Sequence, residues 1–392
     1  MVASRRRRRA PDRPGPAHRR RRTPAAARRG RRRARQADGA LTVAAGHSWP
    51  DLLSRLVAGE ELDGASTAWA MEQVLGGAAT PSQIAGFVVA LRAKGETVAE
   101  VEGLVAAMMG HCVPLEVPGR CLDVVGTGGD RSMSVNISTM AAIVAAGAGA
   151  RVVKHGNRSA SSKTGTADVL EHLGIGLDLP AAAVGRLATE VGMTFCFAAA
   201  FHPAMRHAAI PRRELGIATT MNFLGPLANP VQPAAQAIGC ADAAMAPVMA
   251  GVLARRGVDA WVFRGDDGLD ELTTTTTSRL WVVEDGVVSE TVVDPARLGL
   301  PPATAEDLRG DDVAFNAEVV RRLVAGERGP VRDAVVLNAG AALAVHAADQ
   351  ESAATQDVEE RLRHGMARAE RSLDDGAAAD LLARWITASR AA

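Results

Sequence analysis

The chain has 392 residues, 47% of them hydrophobic and only 3% aromatic, with no tyrosine. This composition can bury a core across two to three domains of roughly 100–200 residues each, and it excludes wholesale disorder. The net charge of +1 conceals a division: sixteen arginines against Asp12 and Asp38 give residues 1–40 a net +14, leaving −13 for the rest.

Arginine tracts such as Arg5–Arg9 have three readings. They bind nucleic acid through its phosphates. They occur in organelle presequences, although those are amphipathic and serine-rich, and this tract has no apolar face. They also arise when a start codon is placed too far upstream in GC-rich DNA, and that is the reading adopted. In every case residues 1–40 are expected to be a disordered tail, the only part of the chain expected to meet nucleic acid.

Residues 41–115 are expected to form a small all-helical N-terminal domain. Helical patterns run over 51–58, 64–75, 80–93 and 97–109. Ser48 stands as N-cap before Trp49-Pro50-Asp51, and Thr80-Pro81 puts proline at the first helical position. Ile84, Phe87, Val88 and Leu91 recur at helical spacing. At about 70 residues this module is too small to be comfortable alone, so it is expected to pack on the remainder.

From Cys121 the pattern becomes strand, loop, helix. Strands are predicted at 122–125, 151–154, 235–239, 260–263, 280–284 and 335–337. Helices are predicted at 136–148, 167–173, 244–255, 316–325, 339–347 and 358–371. The alternation predicts a larger α/β domain over 116–392 with a mostly parallel central sheet. The longest apolar stretch, Met140–Ala150, stops at Arg151, short of the ~18 residues of a membrane span. Cys112, Cys121, Cys196 and Cys240 are scattered without a C-x-x-C pair, which points to a reduced, cytoplasmic protein.

Four segments concentrate glycine, small hydroxyls and charge. Gly126-Thr127-Gly128-Gly129-Asp130 follows a predicted strand, where glycines let backbone N–H groups approach an anion. Asn136, Ser138 and Thr139 add side-chain donors at the next helix start, and the absence of a G-K-[ST] ending disfavours a nucleoside triphosphatase. The second segment, Lys154 to Asp168, carries three cations and five hydroxyls, which suits an anionic ligand. The third runs from His202 to Pro230 and includes Arg212, whose planar fork matches a carboxylate and equally suits a surface ion pair. The fourth, Gly265 to Leu272, places Asp270 beside Glu271, as in loops that hold divalent cations with substrate phosphates and also in acidic turns without a ligand.

Together, in this order and spacing over about residues 48–380, the four segments resemble the anthranilate phosphoribosyltransferases of tryptophan biosynthesis. The resemblance implies a helical domain completed by mid-chain helices around 206–230, an active site in the cleft between the two domains, and a homodimer. It implies transfer of the phosphoribosyl group of 5-phosphoribosyl 1-diphosphate to the amine of anthranilate, with two Mg²⁺ ions. Carried onto this chain, Gly126, Thr127, Gly128, Gly129, Asp130, Ser134, Asn136, Ser138, Thr139, Lys154 and Ser162 would bind the donor. Ser138, Asp270 and Glu271 would hold metal, and Gly126, His155, Asn157, His202 and Arg212 would bind anthranilate. Lys154 and His155 would be the catalytic pair, with His155 accepting the proton lost after attack.

Some positions depart from the family pattern. Arg131 stands where glycine is common, Met133-Ser134 replaces a small residue and threonine, and Pro211 precedes Arg212. Two other readings share the architecture. A pyrimidine nucleoside phosphorylase would have paired glycines after its Lys-His, where this chain has Gly156-Asn157-Arg158. A DNA-binding paralogue would have lost its site, whereas Arg212, Asp270 and Glu271 all remain.

Overall fold

The computed structural model describes residues 46–158, 164–348 and 357–392. The arginine-rich tail and Ser162 lie outside the described residues. Four helices come first: α1 (Trp49–Val57), α2 (Gly64–Leu75), α3 (Pro81–Lys94) and α4 (Val98–Gly110). Each begins on a side chain that accepts an otherwise unpaired N–H. Ser48 accepts from Asp51 at 3.3 Å, Asp63 accepts from Ser66 at 2.7 Å, and Thr80 and Thr97 form capping boxes with Gln83 and Glu100.

The chain then alternates through β1 (Leu122–Gly126), α5 (Ile137–Gly147), β2 (Val152–Gly156), α6 (Thr166–Leu173), α7 (Ala181–Glu190) and β3 (Met193–Phe197). Three short helices follow, α8 (Ala198–Phe201), α9 (Arg206–Leu215) and α10 (Leu224–Leu227). Next come β4 (Ala235–Gly239), α11 (Met245–Arg255), β5 (Asp259–Gly265), β6 (Ser278–Glu284) and β7 (Val287–Val293). Four helices close the chain: α12 (Val313–Val324), α13 (Pro330–His346), α14 (Val358–Asp374) and α15 (Ala377–Ala391).

The seven strands form one sheet in the order β3-β2-β1-β4-β5-β6-β7, parallel through β5 and antiparallel from β5 to β7. Alternate residues of each strand serve opposite layers. Leu122, Val124, Ala237, Trp261 and Leu280 pack with the core that contains Ile143, Val336 and Trp385. Val125, Ile238, Val262 and Trp281 pack with the core that contains Met249, Leu104 and Phe87. A sheet covered on both faces has nearly continuous apolar strands, which is why most were visible in the sequence.

The second core also runs through the helical module. Trp49 meets Phe87 edge-on with ring centroids 5.9 Å apart, and α9 packs on α2 and α3. Ala208, Phe223, Leu224 and Leu227 join the same cluster. The mid-chain segment therefore supplies apolar surface that α1–α4 lack on their own.

The structure corrects one predicted strand. Residues 335–337 lie inside α13, a helix buried along nearly its whole length between the sheet, α5 and α14. A helix enclosed on all sides has no polar stripe, and a short window of it is indistinguishable from a core strand. The reading also omitted β3, β7, α7 and α15. Among the described residues no helix is long and apolar enough to cross a membrane.

Candidate active site

The parallel strands all end at one edge of the sheet, where the four chemical segments converge. The chain winds outward from β1 through β2 to β3 and then returns to β4 on the other side of β1. Such a reversal opens a crevice beyond the carboxyl ends of the two central strands. The Gly126–Asp130 loop follows β1 at that point. Thr127 N–H donates to the Gly239 carbonyl at 2.9 Å, and Ala241 N–H donates to Thr127 Oγ1 at 3.1 Å.

The loop between β5 and β6 folds over this crevice. A Cβ at Gly126 would collide with the Asp270 carboxylate, and one at Gly239 would collide with the Asp270 backbone carbonyl. Both strand ends must therefore be glycine for Asp270 and Glu271 to reach their places. Gly128 N–H donates to Asp270 Oδ2 at 2.7 Å, and Asp130 also shares a hydrogen bond with Asp270. The glycine-rich turn has left-handed backbone at Gly128 (φ 66°) and Gly129 (φ 85°), and also at Arg131 (φ 60°) and Met133 (φ 55°). The last two carry side chains where that conformation costs roughly 1–2 kcal/mol each. Alternation of this kind turns successive N–H groups toward one concavity, an anion-binding arrangement. The Arg131 side chain is exposed and has no ion-pair partner among the described residues.

Strand β2 divides the site. Its residues alternate, so Lys154 and His155 point to opposite faces of the sheet. Lys154 is buried, its Nζ donating to the Val124 carbonyl and reaching Ser138 Oγ at 3.4 Å. Ser138 N–H, in the first turn of α5, donates to Glu271 Oε1 at 3.0 Å. Burial and the adjacent Asp130 push Asp270 up to about 8. Burial and Asp270 push Glu271 well above the usual carboxylate range. Burial lowers Lys154, against the pull of Asp123, Glu271 and Asp270. Three acidic groups around one buried lysine is an arrangement short of positive charge.

Around this cluster, Asp130 accepts from the backbone and hydroxyl of Ser132, which contacts Ser134 Oγ at 3.1 Å. Asn136 stands just before α5 without a side-chain cap bond to it, and its Oδ1 accepts from Asn316 Nδ2 at 3.1 Å. Thr139 is buried with its hydroxyl 3.2 Å from Thr166 Oγ1, linking α5 to α6.

On the other face His155 Nδ1–H donates to the Gly225 carbonyl at 2.9 Å, and His202 Nε2–H donates to the Ala228 carbonyl at 2.8 Å. The rings stand edge to face with centroids 5.3 Å apart. Each keeps one buried nitrogen without a partner, Nε2 of His155 and Nδ1 of His202. Burial, and then His202, pulls His155 down to about 3; burial lowers His202 too. Both rings are neutral at pH 7, and the two bare nitrogens are hydrogen-bond acceptors. An imidazole held near 3 is a weak general base at neutral pH.

Arg212, in the last turn of α9, is half-buried, and its guanidinium has no hydrogen-bond or carboxylate partner among the described residues. Burial alone lowers its pKa. Asn157 lies at the end of β2 with its Oδ1 accepting from Arg158 N–H at 2.8 Å.

Sequence reasoning missed Asp123. It is fully buried in β1, accepting from His155 N–H at 3.1 Å and from Asn229 Nδ2 at 2.9 Å. Asn229 also donates to the Val153 carbonyl at 2.8 Å. Burial pushes Asp123 up to about 6, opposed by the Lys154 charge. The available signal was an aspartate inside an otherwise apolar strand.

Known proteins resemble this chain along most of its length. Residues 118–379 match the α/β domain of a glycosyl transferase family, and residues 50–112 match its helical bundle domain. An anthranilate phosphoribosyltransferase of a Nocardioides species is 69% identical over 342 residues, covering 87% of this chain and 99% of that protein. The crystal structure of the anthranilate phosphoribosyltransferase of Thermus thermophilus superposes with a TM-score of 0.80 at 38% identity, covering 87% of this chain and 99% of that one. The Saccharomyces cerevisiae enzyme, solved in complex with PRPP and Mg, shares the fold with a TM-score of 0.78 at 24% identity, covering 88% of this chain and 98% of that one.

Proposed function

Because the chain belongs to the anthranilate phosphoribosyltransferase family, we propose that it transfers the phosphoribosyl group of 5-phosphoribosyl 1-diphosphate to the anthranilate amine in tryptophan biosynthesis. The observation that carries this reading is the division of the site by β2, with Lys154 and Ser138 beside Asp270 and Glu271 on one face and the neutral acceptors of His155 and His202 on the other.

The donor lies along Gly126–Asp130, Ser134, Asn136, Ser138, Thr139 and Lys154, the backbone donors and the ammonium facing its phosphates. Ser162, outside the described residues, completes that set. Ser138, Asp270 and Glu271 hold magnesium, two ions being expected. Their fit rests on the raised carboxyls, which a divalent cation would keep ionised. Among the described residues no three His, Cys, Asp or Glu side chains form a closed metal cage. When bound, magnesium supplies charge stabilisation to the departing diphosphate.

Anthranilate lies near Gly126, Asn157, His155 and His202, with Arg212 pairing to its carboxylate in fork geometry. The bare nitrogens of His155 and His202 accept hydrogen bonds from the amine and orient its lone pair toward the ribose. The amine is already neutral at pH 7, so attack needs no strong base, and fixed electrostatics around Lys154 act on the leaving group.

The same reading includes a homodimer in the cytoplasm. Its support is apolar exposure on neighbouring helices: Val57 at the end of α1, Val89 on α3 and Ile210 on α9. The deciding experiment mixes the protein with anthranilate, 5-phosphoribosyl 1-diphosphate and Mg²⁺ and follows anthranilate fluorescence beside a chelator control. Metal-dependent loss is expected; a folded protein that leaves the fluorescence unchanged overturns the activity.

A further inference from the structure

The apex of the glycine-rich turn is held by Asp270, but its far limb is held from elsewhere in the chain. Residues 133–135 pair with residues 308–310 as a short antiparallel clip. Gly310 N–H donates to the Met133 carbonyl at 2.7 Å, Val135 N–H donates to the Leu308 carbonyl at 2.9 Å, and Ser134 bridges Arg309. The same clip touches the end of the second loop, because Thr164 Oγ1 donates to the Asp311 carbonyl at 3.0 Å.

One buried side chain joins these contacts. Asn316, in the first turns of α12 and 3% exposed, accepts from Asp311 N–H at 3.0 Å and donates to Asn136 Oδ1 at 3.1 Å. Its amide therefore uses a donor and an acceptor at once, one on the clip and one at the start of α5. Gly310 is packed so closely that a Cβ there would lie 2.8 Å from Asn316 Oδ1 and 2.9 Å from the Ser134 carbonyl. The two strained residues, Arg131 and Met133, lie in the limb that the clip restrains. Left-handed backbone at residues with side chains persists where surrounding contacts over-determine it.

We propose that Asn316 is a positioning residue for the phosphoribosyl donor, acting through the 308–311 clip to hold Ser134 and Asn136 in place. The inference rests on the donor site described above. Its reach is one-sided, since Asn316 bonds to Asn136 and the clip and to none of the groups around His155. The donor alone should sense its loss.

Asn316→Ala is expected to raise KM for 5-phosphoribosyl 1-diphosphate about tenfold, equivalent to about 1.4 kcal/mol, with KM for anthranilate and kcat at saturating donor within about twofold. Gly310→Ala presses on the same contacts from the other side and should give the same split. Hydrogen exchange of the Val135 amide, read without substrate, should accelerate in both variants. Unchanged donor KM, or a parallel rise in both KM values, overturns the proposal, as does unaltered exchange at Val135. A wild-type protein that consumes no anthranilate would instead sink the activity itself, while the exchange measurement still reports on the clip.

Discussion

Lys154 and His155 are neighbours in one strand and occupy opposite electrostatic regimes. Beneath Lys154 the structure gathers Asp123, Asp270 and Glu271 around one buried ammonium, with the Gly128 N–H turned toward Asp270. Beneath His155 it gathers two neutral imidazoles and the backbone carbonyls of Gly225 and Ala228. The alternation of a single β-strand thereby keeps two unlike environments apart. A buried charge is tolerable where other charges compensate it, and a buried histidine is tolerable when neutral.

The largest expected effect comes from breaking the charged side. Asp270→Asn combined with Glu271→Gln should lower kcat/KM by about a thousandfold, the scale seen when a preorganised electrostatic group is removed. The Mg²⁺ concentration for half-maximal activity should also rise. Unchanged metal dependence would show that these carboxylates are not its ligands. Lys154→Met should follow, with kcat down about a hundredfold and stability lowered by about 3–5 kcal/mol as the buried acids lose their compensating charge. Thermal denaturation and steady-state kinetics on one sample separate the two losses.

The neutral side should respond differently. Arg212→Ala is expected to raise KM for anthranilate about thirtyfold, the loss of a charge-assisted pair at ~2 kcal/mol, while donor KM stays put. Equal rises in both would place the guanidinium elsewhere.

The smallest effect concerns acid stability. His155 is held near 3 in the folded protein, against the ordinary histidine value of 6.5. The unfolded chain therefore binds the extra proton between those values, and stability falls as pH drops through that window, by about 1.4 kcal/mol per pH unit. Asp123 has the opposite sign. Its carboxyl sits near 6 when folded, so its contribution favours the folded state as pH falls from 6 toward 3.8. Comparing wild type with His155→Asn isolates the histidine. Between pH 6.5 and 5 the wild type should lose about 2 kcal/mol more than the variant by urea denaturation. Parallel pH profiles would mean that His155 is protonated in the folded protein.

Much of the fold was legible because strands buried on both faces and capped helices leave local signals. Ser48, Thr80 and Thr97 marked helix starts that the structure places within a residue or two. The interior of α13 misled because a helix enclosed on every side has lost the stripe that identifies it. β7 escaped notice because its exposed Val287, Val288 and Val292 lie on an edge strand, away from the core. At the site, glycine, lysine and paired acids were visible as local density. Asp123 and Asn316 were not, since each is a single polar residue whose partners lie far away in sequence.

Which residue types were available was written in the chain: glycines for close approach, small hydroxyls, a lysine, adjacent acids and an arginine. Local chemistry and strand period are written residue by residue, so those features could be read in order. Closure of the chain set Lys154 and His155 on opposite faces of the sheet, left His155 neutral, and brought Asn316 to Asn136 across 180 residues. These outcomes depend on burial and on contacts between distant segments, and both come into being only when the chain closes around its sheet.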